Sequence, residues 1–583
     1  MRRVDEPYRH EVVGRKGSVF YRAHSYHTKV PPEGIIPLIQ HYTDPGDMVL
    51  DPFCGSGMTG VATILSGRVG ILSDLSPAAV EIACGHTMPI SPDDYRRAAQ
   101  SLMARLSKLE TKLYGTSCGR CGSSARIEYT VWSDTLVCPS CGADILYWDA
   151  ARQSDGTLAK TLRCPVCGTS FRKTDAELRQ PHPVLVSVSC GCCRVREERP
   201  LTQAELTEAL LTRRDHITDW YPTTPFEGWR EMWRGQHRSL GVTTAADFFT
   251  DRNLQALAAA WAVAGQSDEA AAMRFTVSAI INRASRRYQW NPKRPTNVLS
   301  GTLYIASLTY EFNVFALLRR KVRAVQQLTE ALQSGTGACD VRKASATELS
   351  YLADSSVDYV FTDPPFGANI YYSDASYLWE AWLDDFTATR QEAVVSTSLR
   401  PEHGGKSLAD YEALMAKSFQ EITRVLKPGA WASVMFHNSD DAVWSSLVRA
   451  VESADLHLES AIAFDKSQPT FKGIKQITGQ ERVSSFDVVL QLRTGGRPAK
   501  ASRPVPGCDL DEQVVQAIDE LLATAPTRRR TTPYIHSFVM RFLLEKGWPL
   551  AGHSYKAVED MLHAHFDFVD GVWTQHQAPT ELA

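Results

Sequence analysis

The pattern of apolar and polar positions divides this chain into two strand-and-helix blocks separated by a long cysteine-bearing stretch. In the first block Ile35 to His41 has helical spacing, Asp47-Met48-Val49-Leu50 is a strand-like run ending at Asp51, and Val61 to Leu65 is helical again. A second strand, Val69-Gly70-Ile71-Leu72-Ser73, ends in Asp74. In the second block Val357 to Thr362 is an apolar strand that delivers Asp363, and Trp431 to Phe436 and Ser485 to Leu490 read as two later strands. Between the blocks Ile127 to Trp132 alternates as a hairpin strand should, while Arg252 to Gly265 and Met273 to Ala284 have helical apolar spacing. Thr494 to Pro504 is rich in glycine and proline and reads as a linker. Beyond it Glu512 to Ala523, Pro533 to Gly547 and Tyr555 to His565 predict helices, and Phe566 to Trp573 carries the Asp-Gly signal of a hairpin, together a winged-helix-like module.

Chemistry concentrates at two strand ends. Asp51-Pro52-Phe53-Cys54-Gly55-Ser56-Gly57-Met58-Thr59-Gly60 is a glycine turn between strand and helix. Glycines there let the backbone approach a ligand, and the helix N-terminus behind them favours a negative group. Asp74, at the end of the next strand, suits a ribose diol. A glycine turn alone also fits a dinucleotide fold. Asp363-Pro364-Pro365-Phe366 is more particular, because prolines stop the strand and hold the turn still. A carboxylate and a carbonyl there can accept the two N–H bonds of an exocyclic base amine, and an aromatic ring can stack on the base. The bland reading of the tetrapeptide is a strand end with a proline turn, and the upstream turn weighs against it.

Together the two motifs resemble the S-adenosylmethionine-dependent amino-methyltransferases of DNA. The resemblance implies a Rossmann-like class I methyltransferase sheet of α/β type. It implies donor contacts from His27 and Thr28, in the lead-in His27 to Glu33, and from Asp51, Pro52, Phe53, Cys54, Gly55, Gly57, Thr59, Asp74 and Leu75. Ser345 and Ala346 stand where relatives meet the donor adenine, Ser345 replacing their usual acid. Asp363, Pro364, Pro365 and Phe366 become the catalytic loop, acting on a base flipped out of the duplex, and Tyr371 and Tyr372 are candidates for the pocket wall. The Asp-Pro-Pro order is similar to adenine-N6 enzymes. Cytosine-N4 methylation, an RNA base amine, and a non-catalytic zinc-dependent nucleic-acid-binding subunit are the alternatives.

Asp51 and Asp363 are 312 positions apart, so something large is inserted between the halves of the site. The insertion opens with four Cys-x-x-Cys knuckles, Cys118/Cys121, Cys138/Cys141, Cys164/Cys167 and Cys190/Cys193. Two knuckles make a tetrahedral Cys₄ zinc site. Sequential pairing is expected, with one zinc on Cys118, Cys121, Cys138 and Cys141 and the other on Cys164, Cys167, Cys190 and Cys193, crossed pairing remaining open. Cys192 is the spare. Eight of 13 cysteines lie in knuckles, which favours two structural Zn²⁺ ions over disulfides or redox chemistry. With this insertion the chain resembles adenine-specific DNA methylases that contain a zinc ribbon.

Composition narrows the class further. At 43% hydrophobic residues the 583-residue chain carries ample core for several domains, and its net charge of −3 gives no general basic field. Cations are local: Asn282 to Arg294 mixes them with Tyr288 and Trp290, Arg319 to Arg323 forms a second cluster, and Arg528 to Arg530 a third. No apolar run approaches a membrane span, and Met1 to His10 is polar, so a cytoplasmic, nucleoid-associated prokaryotic protein is expected. The expected layout is a donor-binding half (1–90), a zinc ribbon (91–200), a helical target-recognition segment (201–335), a catalytic half (336–495), a linker (496–508) and a C-terminal domain (509–583). DNA is the expected partner, with companion restriction or defence proteins as further candidates.

Overall fold

The computed structural model describes residues 4–14, 17–153, 157–291, 302–368, 370–465, 486–495 and 509–576. The expected linker 496–508, Ser485 and the Pro292-Lys293-Arg294 end of the first basic cluster lie outside these residues. Strands β1 (Val12–Val13), β2 (Met48–Asp51) and β3 (Val69–Asp74) come first. The insertion carries β4 (Gly115–Ser117), β5 (Ser124–Val137), β6 (Asp144–Leu146), β7 (Thr161–Arg163), β8 (Ser170–Arg172), β9 (Glu177–Ser189), β10 (Arg196–Arg199) and β11 (Leu308–Phe312). The second block supplies β12 (Ala338–Lys343), β13 (Val357–Thr362), β14 (Leu426–Phe436), β15 (Leu456–Asp465) and β16 (Phe486–Thr494), and the chain closes with β17 (Asp567–Val569) and β18 (Val572–Thr574).

Eight strands form one twisted sheet in the order β1-β15-β16-β14-β13-β2-β3-β12. All are parallel except β16, which runs against both β14 and β15. Helices cover both faces, so every residue of β13 is buried, which is why that strand is a continuous apolar run. The chain winds outward from β2 to β3 and β12, then returns to lay β13 against the other side of β2. This reversal opens a crevice at the carboxyl ends of β2 and β13, where open α/β sheets bind ligands. The strands that carry Asp51 and Asp363 are therefore neighbours despite their separation in sequence.

The insertion leaves along the helix Pro92–Tyr114 and builds a second, antiparallel sheet, β10-β9-β5-β11, with β4 and β6 also on β5. Its spine is the long ribbon of β5 and β9, paired from Arg126 opposite Ser189 to Val137 opposite Glu177. The expected helical segment 201–335 also contains a strand. Leu308 to Phe312 is a strand that returns to β5, so the segment 201–335 completes the ribbon sheet. The helices Asp251–Gly265 and Ala270–Ala284 form as their spacing predicts. The latter docks the insertion on the first block: a Cβ at Gly85, in the helix Pro77–His86, would lie 1.9 Å from the ring of Phe275. Both sheets share one apolar core containing Tyr114, Phe275, Phe315 and Tyr359.

At the C-terminal end the helices Leu510–Thr524, Thr532–Lys546 and Tyr555–His565 precede the β17-β18 hairpin, whose turn has Asp570 and Gly571 at φ 51° and 83°. Ile535 and Met540 pack into the same core cluster as Leu490 of β16. Among the described residues no helix is long and apolar enough to cross a membrane.

Candidate active site and metal centres

Asp51 ends β2 with its side chain 3% exposed and fully engaged. It accepts from Thr59 Oγ1 at 2.6 Å, from Thr362 Oγ1 at 2.8 Å and from the Phe53 N–H at 3.2 Å. The Thr362 contact ties the glycine turn to the last residue of β13, immediately before Asp363. Gly55 and Gly57 have φ of 48° and 77°, conformations that favour glycine. Space also demands glycine at 57, where a Cβ would lie 2.7 Å from the Cα of Ala83. Gly57 caps the helix Met58–Ser66, whose free N–H groups open toward the turn. Asp74, at the end of β3, accepts from the N–H groups of Gly55 and Ser76, both at 2.9 Å.

These residues open into one solvent-connected pocket, with about 970 Å³ of empty space including its open mouth. The structure brings Thr28, Asp51, Pro52, Phe53, Cys54, Gly55, Thr59, Asp74, Leu75, Ser345, Ala346, Asp363 and Pro365 to its wall, with Tyr372. Gly57 and Pro364 are not among the lining residues. His27 also stands back, hydrogen-bonded to Ser376 Oγ at 3.1 Å and packed between Tyr26 and Tyr372, two wall residues. Phe366 is not among the lining residues either. Its ring meets Phe436 edge-on at 5.5 Å, while Asn438 Nδ2 donates to its carbonyl at 2.8 Å. Tyr411 donates to the Pro365 carbonyl at 2.8 Å. These contacts anchor the loop at Phe366.

The electrostatics of the wall are one-sided. Asp51, Asp74, Asp363 and Glu392 line it, with no lysine, arginine or histidine among the described lining residues. Burial pushes the Asp51 carboxyl up to about 7 and that of Asp74 to about 6, against the hydrogen bonds that favour their ionised forms. Glu380, which accepts from Ser76 Oγ at 2.8 Å, is likewise raised by burial to about 7. The Cys54 thiol is driven well up, by burial first and then by Asp74 and Asp51, so this cysteine is no thiolate nucleophile. Such a wall suits a cationic ligand and an N–H donor, and disfavours the pyrophosphate of a dinucleotide.

Several wall residues escaped the sequence reading: Tyr26, Ser76, Thr347, Gln391, Glu392 and Ser418. Tyr26 closes over Gly55, where a Cβ would lie 2.9 Å from its ring. Glu392 accepts from the N–H and hydroxyl of Ser373 at 3.0 and 2.7 Å. No local pattern marks a residue that reaches a cavity through a loop 29 positions after Asp363.

The eight knuckle cysteines meet as two tetrads, Cys118, Cys121, Cys190 and Cys193, and Cys138, Cys141, Cys164 and Cys167. The expected sequential pairing is overturned, and the crossed pairing is what forms. The reason is the β5-β9 ribbon. Antiparallel pairing puts the knuckle before β5 beside the knuckle after β9, and leaves the two inner knuckles together at the far end. Sγ atoms stand 3.6 Å apart for Cys118–Cys193 and Cys121–Cys190, and 3.8 and 3.9 Å for Cys138–Cys167 and Cys141–Cys164. Four thiolates on a tetrahedral zinc, with Zn–S of about 2.3 Å, lie about 3.8 Å apart, so both tetrads fit that ion. Three knuckles turn at Gly122, Gly142 and Gly168 with positive φ, and Arg194 takes that conformation in the fourth. Cys192 belongs to neither tetrad.

Comparison with known proteins bears on the first block of the chain. Residues 6–84 match the model of a DNA methylase family. The type II methyltransferase M.XycI of Xanthomonas campestris pv. cyanopsidis is 43% identical over 61 residues, 10% of this chain and 20% of that protein. The putative methylase YubD of Escherichia coli K12 is 47% identical over 49 residues, 8% of this chain and 22% of that protein. The chain thus spans about a fifth of the length of the curated relatives it matches. Among solved structures, a SAM-dependent methyltransferase from Methanosarcina mazei aligns over 27% of this chain and 68% of its own, at 11% identity and a TM-score of 0.15. The antibiotic-resistance methyltransferase Kmr aligns over 29% and 67%, at 15% identity and a TM-score of 0.16.

Proposed function

We propose that this chain is an S-adenosylmethionine-dependent methyltransferase that modifies an exocyclic base amine in DNA, with N6 of adenine as the target. The observation that carries the reading is the meeting of Asp51 and Asp363 at the ends of adjacent strands, joined through Thr362, on one carboxylate-lined cavity. The DNA methylase match over the donor half supports it. In this reading the sheet is a class I methyltransferase sheet. Bound in the cavity, S-adenosylmethionine supplies an electrophilic methyl group on a positively charged sulfonium.

Each residue then has a task. The turn at Gly55 and Gly57, with the helix N-terminus behind it, receives the donor carboxylate. Asp74 holds the ribose diol, Ser345 and Ala346 border the adenine, and Thr28, backed by His27, fixes Tyr372 at the methionine end. Asp363 and the Pro364 carbonyl accept the two N–H bonds of the flipped base amine, drawing its lone pair out of conjugation and toward the donor. Pro365 and Tyr372 wall the base, while Phe366 holds the loop. The two cysteine tetrads hold structural zinc, the insertion selects the target sequence, and the C-terminal domain is a winged-helix-like module. A restriction or defence system in the prokaryotic cytoplasm is the setting that fits.

Calorimetry with S-adenosylmethionine, followed by transfer of labelled methyl to duplex DNA or to total RNA, tests the reading. Donor binding with label in DNA adenine is expected. Label in RNA alone, or no donor binding, overturns it.

A further inference from the structure

The fold gathers three arginines that the sequence keeps far apart: Arg196 on β10, Arg283 in the helix Ala270–Ala284 and Arg320 in the helix Val314–Leu332. Arg283 lies over the rings of Tyr288 and Phe312 at 5.3 and 5.1 Å, and Arg196 over Tyr129 at 5.6 Å. Tyr129 in turn contacts Phe312 at 6.0 Å, so both guanidinium groups stand on one aromatic platform built by β5 and β11. All three arginines are exposed, and among the described residues none forms an ion pair. The carboxylates nearby are already engaged: Glu110 by Arg319 at 2.6 Å, Glu128 by Arg126 at 3.2 Å, and Glu198 by the Tyr129 hydroxyl. The helices that carry Arg283 and Arg320 pack against each other, and the Arg320 guanidinium is depressed by burial first and then by Arg283, with Glu128 opposing and Arg196 and Arg319 adding smaller effects.

A protein of net charge −3 that leaves these three arginines without an ion pair, two of them stacked on aromatic rings, has built a local site for an external anion. Stacked guanidinium planes are weakly hydrated and present paired N–H donors that match phosphate oxygens. The site also has a direction. Lys321, next to Arg320, donates to the carbonyls of Arg22 and Ala23 at 2.8 and 3.2 Å, and three residues on Tyr26 forms the cavity wall. At the other end Cys190 and Cys193 immediately precede β10, with the Cys190 N–H bonded to the Val195 carbonyl at 3.0 Å. The outer tetrad therefore sets the strand that carries Arg196.

We propose that Arg196, Arg283 and Arg320 form a phosphate-contacting surface that holds the backbone of duplex DNA beside the methyl-transfer cavity, with the outer cysteine tetrad as its support. The choice of DNA as occupant rests on the methyltransferase reading. The surface positions the duplex and carries no sequence information itself.

The test uses the full-length protein and a fluorescent duplex, with binding followed by anisotropy across a salt series. For Arg196→Gln/Arg283→Gln/Arg320→Gln the slope of log affinity against log salt is expected to shrink by about 0.9 for each lost phosphate contact, so by up to about 3. Donor binding and zinc content stay at the wild-type level, and Arg196→Lys/Arg283→Lys/Arg320→Lys restores most of the slope. An unchanged slope in a variant that still binds donor and zinc overturns the surface. A charge-dependent slope with RNA and none with duplex DNA overturns the choice of DNA. Absence of donor binding in the wild type contradicts the methyltransferase reading instead, and it is read separately.

Discussion

Arg230 is where the insertion grips the second block, and its replacement by alanine is expected to destabilise the protein by about 3–5 kcal/mol, the usual result of stranding one partner of a buried ion pair. Its Nη1 lies 2.8 Å from Asp374 Oδ1, with side chains only 10% and 5% exposed. The other carboxylate oxygen accepts the Met232 N–H at 2.8 Å, and the guanidinium sits 4.5 Å from the centre of the Tyr377 ring. In Arg230→Ala the buried Asp374 retains one backbone donor and no cation. An exposed pair of the same geometry would contribute about 0–1 kcal/mol, so the size of the effect reports burial. Asp374→Asn keeps an acceptor for Met232, and Arg230→Met/Asp374→Asn removes both charges, so the double variant is expected to recover much of the loss. Tyr372 and Glu392, both on the cavity wall, flank this pair, because Glu392 is bonded to Ser373. Methyl transfer should therefore fall further than donor affinity. Urea unfolding followed by tryptophan fluorescence gives the stabilities, and a loss below about 1 kcal/mol with normal transfer refutes the reasoning.

Other consequences follow from the site and its supports. Asp51 has a folded-state pKa of about 7 against 3.8 for a free carboxyl, so its contribution to stability is full below pH ~4 and lost as pH rises through about 7. That gap corresponds to roughly 4 kcal/mol, and Asp51→Asn should gain on the wild type by about that much between pH 4 and pH 8 in paired denaturation curves. Gly57→Ala places a Cβ 2.7 Å from Ala83 at a φ of 77°, and is expected to cost about 2–4 kcal/mol and to abolish donor binding by calorimetry. Cys118→Ser and Cys190→Ser should each release one zinc of two, and their double variant no more than one. Cys118→Ser/Cys138→Ser should release both, as elemental analysis will read.

How much of this was legible in the sequence depended on how local each feature is. The turn from Asp51 to Thr59, the strand end at Asp74 and the Asp363 loop are strand-to-turn junctions whose chemistry lies within a few residues, and they meet on one cavity. The cysteine knuckles were equally visible, but their pairing was not. Spacing along the chain favours neighbours, whereas the β5-β9 ribbon, whose strands begin 53 positions apart at Ser124 and Glu177, brings the outermost knuckles together. Leu308 to Phe312 was hidden for the same reason: five residues, Leu-Thr-Tyr-Glu-Phe, become a strand because they pair with β5, far away in sequence. Phe366 shows the converse. Its place in the motif says nothing of its edge contact with Phe436, which tertiary packing sets. Glu392 and Tyr26 reach the wall through loops whose course no periodicity encodes.

The most direct test of the central claim is single-molecule sequencing of genomic DNA from a methylation-free bacterial host that expresses either the wild type or Asp363→Ala. The wild type is predicted to leave methylated adenine in one recurring sequence, and Asp363→Ala to leave the same genome bare while retaining its zinc and its donor affinity. Identical genomes from the two strains, whether both methylated or both unmodified, would contradict the assignment of Asp363 as the acceptor of the amine protons.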